Sequence, residues 1–139
     1  MLAAVTVAAL GACADEAPVV SQEEYDAEAI RLCERHGSEL LTIEELEAQP
    51  ISDAARAAFL AGELVPAARA IVRSLEGFGY PADKAAEYAN AAFVTFEALD
   101  ELQANAIGQI DRRRAGLIIA RDDPFADLAA GIDAMDIPC

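Results

Sequence analysis

Cys13 is the residue whose surroundings point most directly to a chemical modification. It follows an apolar run, residues 1–10, which contains no Lys or Arg, and then the small residues Gly11 and Ala12. The run has the length of a signal-peptide core and is too short to cross a bilayer as a helix, which needs ~20 apolar residues. We therefore expect cleavage after residue 12 and acylation of the Cys13 sulfur, which would anchor the mature chain to a membrane. The alternative is a buried N-terminal helix with a free cysteine in the core.

Two further cysteines, Cys33 and Cys139, remain once Cys13 is modified. An even pair in an exported protein indicates a disulfide. This bridge would close a loop of about 100 residues and hold the C-terminus, which otherwise tends to fray. The alternatives are two free thiols or a metal site that includes His36. Cys33 and His36 share a helix face, but together with one terminal thiol they make an incomplete ligand set for a metal.

No group of residues indicates catalysis. His36 is the only histidine, and the sequence near it shows neither the signature of a Ser or Cys nucleophile nor a partner that would orient a general base. Asp122, Asp123 and Asp127 lack the alternating ligands, central Gly and closing Glu of a calcium loop. The basic cluster within 111–114 points in different directions around a helix and forms no single binding face. We therefore expect no enzymatic activity, no cofactor and no metal site.

The composition indicates an acidic, helical protein. The chain has 25 Asp and Glu against 10 Lys and Arg, for a net charge of −15, which argues against nucleic acid as a partner and against docking on anionic lipid through protein charge. Ala, Leu, Glu and Arg favour helices, and alternating Val, Ile and Thr, which are typical of strands, are absent. The sequence predicts an all-α fold.

Local signals divide the chain into a four-helix, up-down-type bundle with a kinked second helix. Ser21 with Glu24 and Thr42 with Glu45 form capping boxes, and Gly37 between them is a candidate break. Pro66 predicts a kink or a new helix start, since proline removes a backbone donor. The remaining start signals are Ser52, Pro81 and Asp123 before Pro124.

The third helix carries the longest apolar stripe. Its predicted core positions are Ala85, Ala89, Ala92, Phe96, Leu99, Ala106 and Ile110, widened by Phe93, Leu102 and Ile107. A core rich in Ala offers little side-chain volume and would leave space between the helices. If that space forms a ligand cavity, we expect Phe93, Phe96 and Leu99 to line it.

Over about residues 10–139 the chain resembles a set of exported, mostly uncharacterised helical lipoproteins of high-GC Gram-positive bacteria. The shared features are a lipobox ending at Cys13, a first helix with Tyr25 and Cys33, the turn 75–81, and an acidic pair before a final helix that ends in 136–139. The resemblance implies a disulfide between the first helix and the C-terminus. It implies no activity.

These observations predict a signal peptide, residues 1–12, a tether, residues 13–20, and a helical domain, residues 21–139. We expect an extracytoplasmic protein that is anchored by lipid on Cys13 to the outer face of the cytoplasmic membrane. The leading functional hypothesis is a non-enzymatic envelope protein that binds a protein partner or serves a structural role. The alternative is a carrier of a small apolar ligand.

Overall fold

The computed structural model describes residues 18–112 and 124–139. Within these ranges the chain is an all-α bundle with a single pair of very short strands, which confirms the predicted fold class. The predicted signal peptide, Cys13 and the acidic pair Asp122–Asp123 lie outside the described residues. The elements are β1 (Val19–Val20), α1 (Gln22–His36), a 3₁₀ turn (Gly37–Glu39), α2 (Ile43–Ala48), α3 (Asp53–Phe59), α4 (Val65–Phe78), β2 (Tyr80–Pro81), α5 (Ala85–Arg112) and α6 (Pro124–Ala134).

The predicted capping signals mark the actual helix starts. The hydroxyls of Ser21 and Thr42 each accept a hydrogen bond from the backbone N–H three residues later. The carboxylates of Glu24 and Glu45 in turn accept from the backbone N–H of Ser21 and Thr42, so both capping boxes are complete. Ser52 caps α3 in the same way, by accepting from the backbone of Ala55. The predicted break at Gly37 is also present, because α1 ends there and gives way to the 3₁₀ turn.

The second predicted helix is irregular, but the irregularity precedes the proline. The helical path runs without interruption from α3 through a π-helical segment, Leu60–Leu64, into α4. Pro66 lies inside this continuous path, directly after the π-helical segment, and its missing N–H removes one helical hydrogen bond there. Leu60 and Leu64 are buried, so the wider π turn directs both side chains into the core.

Residues 18–20, which were predicted to belong to the tether, lie against the bundle. Val19 and Val20 pair in parallel with Tyr80 and Pro81. The approach requires Gly79, whose φ of 113° is a conformation open mainly to glycine. A Cβ on Gly79 would stand 2.1 Å from the carbonyl oxygen of Pro18.

Small residues decide which side of α5 is buried. α6 packs closely on α5, with Gly131 against Thr95, and the neighbouring buried positions Ala91 and Ala98 allow that approach. The buried side of α5 is made by Tyr88, Ala91, Ala92, Thr95, Ala98, Leu99, Leu102 and Ala106. The predicted stripe is therefore wrong at Ala89, Phe93 and Ile107, which are exposed.

Two apolar clusters form the core. The first surrounds Tyr25, Tyr80 and Tyr88, where α1 meets the C-terminal segment, and its aromatic rings are 4.9–6.2 Å apart between centroids. The second lies between α3, α4, α5 and α6, and contains Leu64, Leu99 and Phe125. The clusters share Leu40, Phe96 and Ile132 as partly buried neighbours, so they are continuous with one another.

Candidate functional site

The predicted cysteine pair is a disulfide. Cys33 and Cys139 are bonded, with their Cα atoms 5.4 Å apart and a sequence separation of 106. The alternatives of free thiols and of a metal site built on this pair are therefore wrong. The bond joins the last turn of α1 to the end of the chain.

The three residues predicted to line a ligand cavity do not come together around one. Phe93 is 60% exposed on the outer side of α5, and Leu99 is fully buried in the second core cluster. Phe96 is half-buried, with the guanidinium of Arg73 5.9 Å from its ring centroid. The side of α5 that faces α6 is made of small residues such as Ala91 and Thr95, and Phe93 lies on the opposite, exposed side.

A cleft of about 760 Å³ lies elsewhere, between α2 and α6, beside the disulfide. One wall comes from the segment 40–47, the other from α6, and Ile137 and Cys139 close one end. Its apolar lining consists of Leu40, Leu41, Leu64, Phe125, Ala126, Leu128, Ala129, Ile132 and Ile137. The volume is in the range of small-molecule sites, about 300–1,000 Å³.

The α2 wall is held by contacts at both of its ends. The Thr42 capping box sets the start of α2, and Thr42 itself lines the cleft. At the other end the Arg56 guanidinium donates to the backbone carbonyls of Leu46, Glu47 and Gln49 over 2.8–3.1 Å. The carbonyls of Leu46 and Gln49 also accept backbone N–H groups, from Gln49 and Ile51, so Arg56 adds to these bonds, and a cation near a helix C-terminus is favourable.

The C-terminal wall is held by side chains from three elements. The Tyr25 hydroxyl donates to the carbonyl of Met135 over 2.8 Å, and this bond is buried. Asp136, with φ of 52°, accepts from the Lys84 ammonium at 2.6 Å and from the Tyr88 hydroxyl. These contacts place Ile137 in the cleft wall and Cys139 beside Cys33.

The charges near the C-terminal wall are tightly coupled. Hydrogen bonds from Lys84 and Tyr88 hold the pKa of the Asp136 carboxyl below its ordinary value. The same bond from Lys84 to Asp136 raises the pKa of the Lys84 ammonium. Burial raises the pKa of the Tyr25 phenol, so this hydroxyl stays neutral and donates at physiological pH.

Carboxylates line the open side of the cleft. Glu44 and Glu47 come from successive turns of α2, and Asp133 comes from the last part of α6. All three are exposed, and within the described ranges none of them forms an ion pair. The cleft therefore combines an apolar lining with a negatively charged rim.

A chemically reactive site is not evident in residues 18–112 and 124–139. No group of three or more His, Cys, Asp and Glu residues in this part of the chain could hold a metal ion. His36 ends α1 next to Gly37 and is half-buried. None of the described helices combines the length and apolar character that crossing a membrane requires.

Comparisons with known proteins give no relative: no family model, no curated protein and no solved structure matches this chain. The function is therefore inferred from the geometry of the cleft itself.

Sequence reasoning missed the cleft because its walls are distant in the chain. The segments 40–47 and 125–139 meet only in the folded chain, where the disulfide also joins α1 to the C-terminal residue. One local signal was available. The neighbouring pair Leu40 and Leu41 stands outside any helix, just before the Thr42 cap, and both side chains remain partly exposed in the cleft.

Proposed function

We propose that this chain is an extracytoplasmic, lipid-anchored binding protein without enzymatic activity, and that the cleft between α2 and α6 holds a small apolar molecule. The single observation that carries the proposal is the cleft, whose volume of about 760 Å³ and apolar walls suit such a ligand. This favours the carrier hypothesis over a purely structural role, at a site other than the one expected from the sequence.

The contacts that hold both walls support binding without large rearrangement. Arg56 holds the end of α2, and the disulfide with the Tyr25 and Lys84 contacts holds the C-terminal wall. A preformed site spends less binding free energy on ordering side chains and backbone. Each CH₂ group of a ligand that leaves water contributes about 0.8 kcal/mol, so micromolar affinity requires a chain of about ten or more buried CH₂ groups.

The disulfide supports the extracytoplasmic part of the proposal. Disulfides persist in oxidising compartments and are rare in the reducing cytosol. The Cys33–Cys139 bond therefore fits a chain that is exported through the predicted signal segment. Intact-mass analysis of membrane-extracted protein tests the anchor: the expected product begins at an acylated Cys13, and an unmodified Cys13 would contradict it.

Titration of a neutral fluorescent probe, N-phenyl-1-naphthylamine, tests the cleft. The full chain carries Cys13→Ser so that no acyl group competes. We expect saturable binding that Ala129→Trp weakens by about tenfold or more, because Ala129 lines the cleft and an indole would fill it. A tenfold loss corresponds to about 1.4 kcal/mol.

Ala130→Trp is the matched control. Ala130 is the exposed neighbour on α6 and does not line the cleft, so probe binding should persist in this variant. The proposal is wrong if the parent chain does not bind the probe, or if the two tryptophan variants weaken binding equally.

A second candidate function, binding of a protein partner, is favoured by one observation on α5. Phe93 is 60% exposed and Val94 is 37% exposed on the side of α5 that faces away from the bundle. Exposed aromatic side chains are enriched in protein interfaces. A photo-crosslinking residue at position 93 tests this in the cell envelope: a discrete adduct is expected there and not at position 34, an exposed site on α1.

A further inference from the structure

The negative charge around the cleft indicates which class of ligand it would bind. Glu44 and Glu47 line one side and Asp133 lines the other, so carboxylates border the apolar lining from both walls. The described ion pairs all use carboxylates other than these three: Arg31, Arg56, Arg69 and Lys84 pair with Glu28, Asp53, Asp100 and Asp136. An apolar ligand with a negative head would be repelled by these three carboxylates.

We propose that the cleft selects cationic amphiphiles: small molecules with an apolar chain and an ammonium head. This rests on the proposed function, because it assigns the ligand class of the same cleft. The apolar chain lies along Leu40, Leu128 and Ile132, and the ammonium lies at the rim between Glu44, Glu47 and Asp133. The cleft volume suits a small molecule, and charge complementarity selects its head group.

The rim contributes selectivity more than affinity. Exposed ion pairs contribute modestly, so each carboxylate improves the affinity for an ammonium by a factor of about 1.5–5. Three carboxylates together are expected to favour the cation over an uncharged analogue by about tenfold. The preference should fall as salt is added, since exposed charges are screened over about 10 Å at 0.1 M salt.

Competition against N-phenyl-1-naphthylamine tests this on the full chain with Cys13→Ser. The competitors share one chain and differ in the head: decylammonium, decanol and decanoate, each below its micelle concentration. We expect decylammonium to compete about tenfold better than decanol, and decanoate to compete worst. Equal competition by all three would overturn the cationic preference and leave the apolar cleft of the proposed function standing.

Two triple variants distinguish the effect of the three rim carboxylates from the effect of the overall net charge of −15. Glu44→Gln/Glu47→Gln/Asp133→Asn should reduce decylammonium to the affinity of decanol and leave decanol unchanged. Glu87→Gln/Glu97→Gln/Glu101→Gln removes three exposed carboxylates of α5 and should retain the preference. If both triple variants lose the preference for decylammonium over decanol equally, net charge is responsible and the inference is wrong. If neither the probe nor any competitor binds the parent chain, the proposed function itself falls.

Far-UV circular dichroism of the rim variant keeps the test interpretable, since Glu44 lies in the first turn of α2. Unchanged helicity together with unchanged decanol binding shows that the cleft is intact. If helicity falls, the single variant Asp133→Asn, outside α2, decides: decylammonium affinity must drop by a factor of about 1.5–5, and no drop overturns the inference.

Discussion

Gly131 of α6 lies directly against Thr95 of α5, and a Cβ on Gly131 would stand 2.0 Å from the Thr95 hydroxyl oxygen. Thr95 is the one buried polar side chain in the described core, and its hydroxyl donates to the carbonyl of Ala91 over 2.7 Å. The absence of a side chain at position 131 thus allows α6 to approach α5 while the Thr95 hydroxyl keeps its partner. This contact sets the position of the whole α6 wall of the cleft.

Gly131→Ala should destabilise the protein by about 1–3 kcal/mol, because the methyl group forces the helices apart in a closely packed region. Chemical denaturation measures the change in the free energy of unfolding. Gly77→Ala is the control, since a Cβ there meets no atom within 4 Å, and it should stabilise α4 by about 0.5–1 kcal/mol. Equal effects of the two substitutions would contradict the close contact with Thr95.

Gly79→Ala should release residues 18–20 from the bundle. The φ of 113° disfavours any side chain, and the new Cβ would collide with the Pro18 carbonyl oxygen. We expect a loss of about 1–3 kcal/mol in unfolding free energy. Hydrogen exchange by mass spectrometry should show faster exchange in residues 18–20, with α5 unaffected. Unchanged exchange at 18–20 would contradict the role assigned to Gly79.

Cys33→Ser/Cys139→Ser should lower the free energy of unfolding by about 4 kcal/mol, because the unfolded chain is no longer closed into a long loop. The loop spans 106 residues, so the chain-entropy effect is near its maximum. Helicity should survive, since Tyr25 and Lys84 still hold Met135 and Asp136. Cys13→Ser serves as the control and should leave stability unchanged. A loss below about 1 kcal/mol in the double variant would contradict the entropic account.

Asp136→Asn should lower the stability of the folded protein at neutral pH and leave it unchanged in strong acid. The folded pKa of Asp136 is lowered by Lys84 and Tyr88, so its contribution is present above the ordinary value of 3.8 and is lost as pH falls through the folded pKa. The folded pKa of Lys84 is raised, so the contribution of Lys84 to stability is present below pH 10.5 and is lost as pH rises through the folded pKa. The stability difference should therefore be largest between about pH 4 and 10.

Thermal melts across this pH range check the expectation. Asp83→Asn removes the same charge from an exposed position beside Lys84, and its melting temperature should stay parallel to that of the parent chain. A pH-independent effect of Asp136→Asn would show that Asp136 acts through its backbone conformation rather than through its charge.

The helix starts could be predicted because their determinants are local. Ser21, Thr42 and Ser52 each bond to a backbone N–H three residues away, so the stabilising contact lies within the motif that is read. The buried side of α5 could not be predicted in the same way. Phe93 is more apolar than Ala91, yet Ala91 is buried and Phe93 is exposed, because α6 needs a surface of small residues.

The cysteine pair shows what the sequence predicts and what depends on the tertiary structure. Once Cys13 was assigned to the lipid anchor, counting the remaining cysteines predicted which residues bond. It did not predict that the bond would close one end of a cleft, because Leu40, Ile132 and Cys139 approach one another only when distant helices pack.

The sequence by itself determined the helical class and the helix starts, since these depend on contacts within a few residues, and it predicted the pairing of Cys33 with Cys139 once Cys13 was assigned to the lipid anchor. The tertiary structure alone decided the buried side of α5, the docking of residues 18–20 and the cleft between α2 and α6. These features arise from close packing between distant segments, where the fit of small residues such as Gly131 and Gly79 outweighs local apolar periodicity.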